Sequence, residues 1–386
     1  MKKKISILGS TGSIGSSTFS IINKKKKYFN IYLLAANKNM RLICSQIKKY
    51  KPNIFVVTDL KIFKKVKSKF HKSKTLILNN LKSIKPKKKI DITISAIPGI
   101  SGLAPTLHMT KISKKILIAN KESVICGWNL LKRVSLTNKT KIVPVDSEHF
   151  SILQLLKDHN QSEIKKFFIT ASGGPFLNLK KNKFKKIKPR DAINHPKWKM
   201  GKKISVDSAT LMNKILELIE AQKLFNIPNN KLEIIIHPDS LVHAIIELKN
   251  GLRKLIYHET SMIIPIANAI FDNKLEIGDF FKVKIHKLKT LTFKGVDHKI
   301  FPIIKIKKRI NEYPSTPIII NACNEILVDQ FLQKKIPFLS ISKIIMNILN
   351  DRNYRKYAIK KPKNIFQIKQ IDTWARKLTI NKLYNV

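Results

Sequence analysis

The sequence predicts an α/β protein, with a doubly wound parallel sheet at the N-terminus, a central α/β domain and a small helical domain at the C-terminus. Three observations carry this prediction. Strand-length apolar runs alternate with helix-length segments over residues 1–149, the signature of βαβ units. A glycine-rich turn directly follows the first of these runs. From about residue 312 the apolar spacing becomes helical, punctuated by Pro314, Pro317 and Pro337.

The elements follow in order. Ile5 to Leu8 is a short β run, then Gly9-Ser-Thr-Gly12-Ser-Ile-Gly15 leads into a helix through Ile22. Ile31 to Ala36, Ile54 to Val57, Ile90 to Ala96, Ile116 to Ile118 and Ile142 to Val145 continue the strand series. Beyond it come a β run at Phe167 to Thr170, a lysine-rich loop from Asn178 to Lys188, a helix from about Ser208 to Phe225, and strands at Leu232 to Ile236 and Val242 to Leu248. The expected domains are 1–149 for a dinucleotide, 150–285 for catalysis and metal, a linker at 286–311 and a helical domain at 312–386.

Composition narrows the function. The longest apolar runs, such as Ile234 to Ile236 and Ile318 to Ile320, are strand- or core-sized, so no membrane span is expected. The basic start runs straight into the glycine turn and reads as a first strand, with no targeting peptide. Three cysteines without CxxC spacing support neither a disulfide framework nor a zinc cluster, which fits a reducing cytoplasm. The net charge of +52 taken alone suggests nucleic acid. Yet the lysines are spread through the chain among many Ile and Asn residues, all with A/T-rich codons. No aromatic-interleaved basic motif accompanies them, so a biased genome is the better reading and no specific nucleic acid is expected.

Several motifs carry chemistry. Gly9-x-x-Gly12-x-x-Gly15 sits between a predicted strand and helix, where a dinucleotide's pyrophosphate meets a helix N-terminus in Rossmann-type domains. The second strand ends Asn37-Lys38-Asn39 with no acid for a ribose hydroxyl, and Lys38 with Arg41 favours NADP over NAD. Asn120-Lys121-Glu122-Ser123 and Asp146-Ser147-Glu148-His149 both follow strand ends, the place where such sheets bind ligands. Asp146 and Glu148 are scarce acids, 24 against 76 basic residues, set close enough to share one Mg²⁺ or Mn²⁺. A solvated acidic turn is the alternative.

Further along, Ser172-Gly173-Gly174-Pro175-Phe176 can offer backbone N–H groups and a hydroxyl to an anion. His195-Pro-Lys-Trp198-Lys-Met200-Gly201 combines a titratable ring, an indole and a flexible glycine. In Ser205-Val-Asp207-Ser208-Ala-Thr-Leu-Met-Asn213-Lys214-Ile-Leu-Glu217, Ser208 or Asp207 is expected to cap a helix. Lys214 and Ser208 suit a phosphate, while Lys214 and Glu217 alone read as a surface ion pair.

GSTGSIG, ANKES, PVDSEH, SGGPF, the HPKWKMGKKISVDSATLMNK stretch, IHPDSLVH and NACNE occur in order across most of the chain. The set resembles the 1-deoxy-D-xylulose 5-phosphate reductoisomerase family of the non-mevalonate isoprenoid pathway. The resemblance implies NADPH on Thr11, Gly12, Ser13, Ile14, Lys38, Asn39, Asn120, Glu122 and Gly201. It implies a metal, Mg²⁺ or Mn²⁺ with Co²⁺ also admissible, on Asp146, Glu148 and Glu217. It implies a small phosphorylated sugar held by Ser172, Ser208, Asn213 and Lys214, with Lys121 and Ser147 at its oxygen-bearing carbons. Glu148 and Glu217 count among the substrate-facing groups as well as the ligands. Lys121, Glu148 and His195 are the catalytic residues so implied, with Trp198 and Met200 on a closing loop and His243 lining the pocket. The implied reaction is a retro-aldol/aldol-like rearrangement of the ketose phosphate and hydride transfer, yielding 2-C-methyl-D-erythritol 4-phosphate in a homodimer. The chain departs from the family pattern at Asn37, at Ile215 and across His258 to Ile266, where Glu259, Met262, Pro265 and Ile266 persist. An NADP dehydrogenase acting without skeletal rearrangement is the competing enzyme reading.

Overall fold

The computed structural model describes residues 2–198, 200–280 and 290–383. Lys199 and the 286–289 start of the expected linker lie outside the described residues. In chain order the elements begin with β1 (Lys3–Leu8), α1 (Ser13–Lys24), β2 (Phe29–Ala36), α2 (Met40–Tyr50), β3 (Ile54–Val57), α3 (Leu60–Lys69) and β4 (Leu76–Leu78). They continue with β5 (Ile90–Ser95), α4 (Leu103–Ile112), β6 (Ser113–Ile118), α5 (Lys121–Thr137), β7 (Lys141–Pro144), α6 (Ser147–Leu155), β8 (Ile164–Ala171), α7 (Pro189–Ile193), α8 (Lys202–Thr210) and α9 (Met212–Phe225). They close with β9 (Leu232–Ile236), β10 (Val242–Leu248), β11 (Arg253–Tyr257), α10 (Ile263–Phe271), α11 (Thr316–Leu332), α12 (Ser340–Leu349), α13 (Tyr354–Ala358) and α14 (Ile365–Leu383).

The chain folds into two compact units. The first comprises Met1–Ser123, Asn129–Phe150 and Met262–Val283; the second comprises Val124–Trp128, Ser151–Ser261 and Lys284–Val386. The first unit is built on a seven-stranded sheet in the order β4-β3-β2-β1-β5-β6-β7, with every pairing parallel. Helices cover both faces of such a sheet, so its strands carry unbroken apolar runs: Ile5, Ile7, Leu33, Phe55, Ile94 and Ile116 are all fully buried. The order runs outward in both directions from β1 and β5. Their carboxyl ends therefore flank the switch point where doubly wound sheets bind ligands. α10 packs on α1, with Tyr28 and Phe29 meeting the edge of Phe271 at 5.9 and 5.6 Å.

The second unit holds a four-stranded mixed sheet, β11-β10-β8-β9, in which β8 and β9 run parallel and the other pairs antiparallel. The sequence pattern misses β11 because its Arg253-Lys254-Leu255 half is exposed on a sheet edge, where charge replaces the alternation of a buried strand. The helix expected from about Ser208 to Phe225 is broken. Leu211 takes a left-handed conformation (φ 63°) and separates α8 from α9. Ser208 and Asp207 accordingly lie in the last turns of α8 and cap nothing, which corrects the sequence expectation. The C-terminal part is helical as expected, with α11 buried along most of its length and packed on α12 and α14.

Candidate active site

In the first unit the glycine turn is shaped by contact as well as by dihedral angle. Gly9 has φ 80°, and a Cβ there would stand 2.5 Å from the carbonyl oxygen of Ala96. At Gly15 a Cβ would stand 2.3 Å from the oxygen of Ser10, so this glycine lets α1 lie against the turn. Gly12 precedes α1 with no side-chain cap, so no side chain satisfies the first backbone N–H groups of the helix, an arrangement suited to an anion. Thr11, Gly12, Ser13 and Ile14 are exposed or half-buried along this turn. The turn is fixed from behind by Gln46: Ser10 Oγ donates to its Oε1 at 2.7 Å, and its Nε2 donates to Ser10 O at 3.0 Å. Sequence reasoning missed Gln46, since a lone amide on a basic helix carries no signal of its own. Lys38 is exposed at the end of β2, and Asn39 caps α2 by accepting from Leu42 N at 3.1 Å.

The ends of β6 and β7 are adjacent through the Ile118–Pro144 register, and this brings two motifs together. Asn120 caps α5, its Oδ1 accepting from Ser123 N at 2.8 Å and from the Ser123 hydroxyl. Its Nδ2 donates to Gly99 O at 3.1 Å and to Glu122 Oε2 at 3.0 Å. Lys121, 5% exposed, places Nζ 3.1 Å from Asp146 Oδ2. Asp146 Oδ1 also lies 3.3 Å from both the Glu148 backbone N–H and Nδ1 of the buried His149. Burial works against the Asp146 charge, but the Lys121 ammonium and the hydrogen bond from His149 outweigh it and hold the carboxyl well below its ordinary range. Ser147 Oγ donates to Glu148 Oε2 at 2.5 Å. Two carboxylates thus sit at the start of α6, where the helix dipole favours negative charge. His149 is a site neighbour the sequence reading did not single out.

In the second unit Ser172 Oγ lies 2.9 Å from His195 Nε2 and accepts from Gly174 N at 3.0 Å. His195 Nδ1 accepts from the backbone N–H groups of Lys197 (3.1 Å) and Trp198 (3.0 Å). The proton therefore sits on Nε2. Burial first, and then the charge of Lys214, push this imidazole down to about 4. A Cβ at Gly174 would stand 2.9 Å from Ser208 O, so the glycines let the Ser172 loop press against the end of α8. At the start of α9, Lys214 Nζ donates to Glu217 Oε2 at 2.7 Å and Asn213 Nδ2 donates to Glu217 Oε1. The side chains of Lys214 and Glu217 are only 8% and 1% exposed, so this is a buried pair and not the surface pair that spacing alone suggests. Trp198 meets His243 edge-on at 6.0 Å, and His243 stacks on His258 at 3.8 Å. Gly201, exposed ahead of α8, has open space around the position of a Cβ.

The chain matches three family profiles in succession: 1-deoxy-D-xylulose 5-phosphate reductoisomerase over residues 5–127, its C-terminal domain over 142–225, and a DXP reductoisomerase C-terminal domain over 258–378. A 1-deoxy-D-xylulose 5-phosphate reductoisomerase of Pelagibacter ubique is 45% identical, with 97% of each chain covered. The chain belongs to the 1-deoxy-D-xylulose 5-phosphate reductoisomerase family. A reductoisomerase of Wolbachia from Drosophila simulans is 38% identical over 89% of each chain. Among solved structures, a reductoisomerase in complex with NADPH, fosmidomycin and magnesium superposes with TM-score 0.93 at 30% identity, covering 99% of this chain and 98% of that one. The Zymomonas mobilis reductoisomerase in complex with NADPH gives TM-score 0.88 at 31% identity over the whole of both chains.

Proposed function

We propose that this chain converts 1-deoxy-D-xylulose 5-phosphate to 2-C-methyl-D-erythritol 4-phosphate with NADPH and a divalent metal, as an oxidoreductase of isoprenoid synthesis. The single observation that carries this is a family match running nearly end to end, over a fold that supplies the turn and the carboxylates the chemistry needs.

The uncapped α1 start and the glycines that clear it fit a pyrophosphate. Thr11, Gly12, Ser13, Ile14, Lys38, Asn39, Asn120, Glu122 and Gly201 are the proposed cofactor contacts, and the exposed Lys38 ammonium suits a 2′-phosphate. Asp146, Glu148 and Glu217 are the proposed metal ligands; an all-carboxylate set suits Mg²⁺ or Mn²⁺, with Co²⁺ admissible. When bound, the cation supplies Lewis acidity to adjacent ketone and hydroxyl oxygens, and NADPH supplies a hydride.

The chain's own residues do the rest. Lys121 keeps Asp146 ionised and stands as a fixed positive charge for developing oxyanion character, and Lys121 and Ser147 contact the oxygen-bearing carbons of the substrate. Ser172, Ser208, Asn213 and Lys214 bind the substrate phosphate. His195 has Nδ1 occupied by two backbone N–H groups and presents Nε2–H to Ser172, so it orients Ser172 and the substrate as a donor. The segment with Trp198 and Met200 excludes water over the reacting carbons. By segment, 1–149 serves the cofactor and contributes Asp146 and Glu148, 150–285 contributes Glu217 and the substrate groups, and 312–386 forms a helical domain joined through 286–311.

We place the enzyme in the cytoplasm as a homodimer. Support comes from three free cysteines, from the absence of any helix among the described residues long and apolar enough to cross a membrane, and from the family. The test is NADPH consumption followed by nicotinamide absorbance, with Mg²⁺ or Mn²⁺ and 1-deoxy-D-xylulose 5-phosphate. Oxidation that requires metal and yields a branched polyol phosphate is expected. Folded protein that leaves the absorbance unchanged overturns the proposal.

A further inference from the structure

The Asn321-Ala-Cys-Asn324-Glu325 motif takes no part in the chemistry above. α11 carries it through the interior, with Asn321, Cys323 and Asn324 all fully buried. Part of the motif serves the helical domain itself. Asn321 Nδ2 donates to Glu325 Oε1 at 3.2 Å, and Glu325 pairs with Arg376 of α14. Asn324 is turned elsewhere: its Nδ2 donates to Asp207 Oδ1 in α8 at 2.7 Å.

Asp207 is 1% exposed and its second oxygen accepts from Lys203 Nζ, one turn back, at 2.9 Å. A carboxylate only accepts hydrogen bonds, so the amide must present its nitrogen to Asp207. Asn324 Oδ1 is then buried without a hydrogen-bond partner among the described residues. Leaving a buried carbonyl unmatched is costly, and Asn324 bears that cost while its amide stays on the buried Asp207 carboxylate. A local rule broken in the interior points to function over stability. The beneficiary is next in sequence. Ser208 follows Asp207, and its carbonyl lies where Gly174 presses the Ser172 loop onto α8. Lys203 and Asp207 also lie in α8, which begins at Lys202 directly after Gly201.

We propose that Asn324 is a positioning residue for the substrate phosphate. By holding the Asp207 carboxylate it fixes the turn of α8 that carries Ser208 against the Ser172 to Gly174 loop. This deepens the proposed function and rests on its assignment of the phosphate to Ser172, Ser208 and Lys214. Asn324→Asp keeps the shape but sets two acceptors face to face. Pairing it with Asp207→Asn exchanges donor and acceptor and restores the bond.

The experiment measures KM for 1-deoxy-D-xylulose 5-phosphate, Kd for inorganic phosphate by calorimetry and Kd for NADPH, each per folded molecule. Asn324→Asp is expected to raise the first two about tenfold, as a misplaced anchoring group does, and to leave NADPH affinity unchanged. The reciprocal double variant recovers most of the loss. Should Asn324→Asp fail to fold, Asn324→Ser shortens the donor and carries the same expectation. Wild-type phosphate affinity in the folded single variants, with only Tm lowered, overturns the proposal. So does a double variant no better than the single one. A wild-type chain inactive on the sugar phosphate, whose inorganic-phosphate affinity still depends on Asn324, overturns the proposed function and leaves the positioning role standing.

Discussion

The Lys121 ammonium lies 3.1 Å from Oδ2 of Asp146, joining the residues that follow two neighbouring parallel strands. Neither side chain reaches bulk water freely, and the ammonium favours the ionised form of the carboxylate. Removing Lys121 withdraws the main attraction that offsets the burial of Asp146, and the Asp146 pKa must rise. A depressed carboxyl favours the folded, ionised form above its unfolded pKa, and that advantage is lost as pH falls through the folded value. Lys121→Met therefore raises the pH at which the metal-free protein loses the stability that the ionised Asp146 supplies. It also lowers kcat/KM by about 10²-fold or more through loss of a preorganised charge. Denaturant titrations at stepped pH without metal, and kcat/KM with metal, check the two effects, and NADPH affinity is expected to hold.

His195 titrates with the same sign for a different reason, since burial disfavours its charged form. Its folded pKa is about 4 against an ordinary 6.5. The unfolded chain binds a proton between these values and the folded chain does not, so stability falls as pH drops from 6.5 toward 4 and levels off below. His195→Gln is expected to flatten this part of the stability curve in denaturant titrations at stepped pH. Nitrogen NMR of the wild type at neutral pH is expected to show the Nε2–H tautomer.

Gly15→Ala tests the cofactor turn. A methyl group there meets Ser10 O at 2.3 Å, and the atoms it meets are all backbone of Ser10, which cannot swing aside as a side chain would. Overpacking of this kind costs about 1–3 kcal/mol. Urea unfolding should report that loss, and NADPH titration should show weaker binding because the α1 N-terminus is displaced.

Arg376→Met separates bundle stability from the site. Arg376 joins Glu325 and Asp372, whose side chains are 14% and 9% exposed. Leaving two such partly buried carboxylates without their hydrogen-bonding cation costs about 1–3 kcal/mol. Tm should fall while phosphate affinity per folded molecule stays at the wild-type value. That contrast with Asn324, on the same helix, separates the helical domain's own contacts from its hold on α8.

A net charge of +52 repels itself across the surface. Raising ionic strength from about 0.01 M to about 0.15 M shortens the screening length from about 30 Å to about 8 Å. Tm is expected to climb over that range in differential scanning fluorimetry, whichever anion is used.

Much of this architecture is written locally. Apolar runs such as Ile5 to Leu8 and Ile116 to Ile118 specify strands because a parallel sheet buries both faces. The glycines at 9 and 15 stand where a side chain would strike backbone. Asp146 and Glu148 are legible as a pair because acids are scarce in this chain. β11 was not legible, since Arg253 and Lys254 look the same on an exposed edge strand as in a loop.

By itself, then, the sequence determined the order of elements, the turn that suits a dinucleotide and the identity of the chemical groups. Only tertiary structure decided which groups meet. It turned the Lys214–Glu217 spacing from a surface pair into a buried one and broke a continuous helical pattern at Leu211. It set Gln46 behind Ser10 across 36 residues and Asn324 on Asp207 across 117. The physical reason is range: periodicity and steric limits act over a few residues, whereas burial and hydrogen bonding in the interior are settled by packing between distant segments.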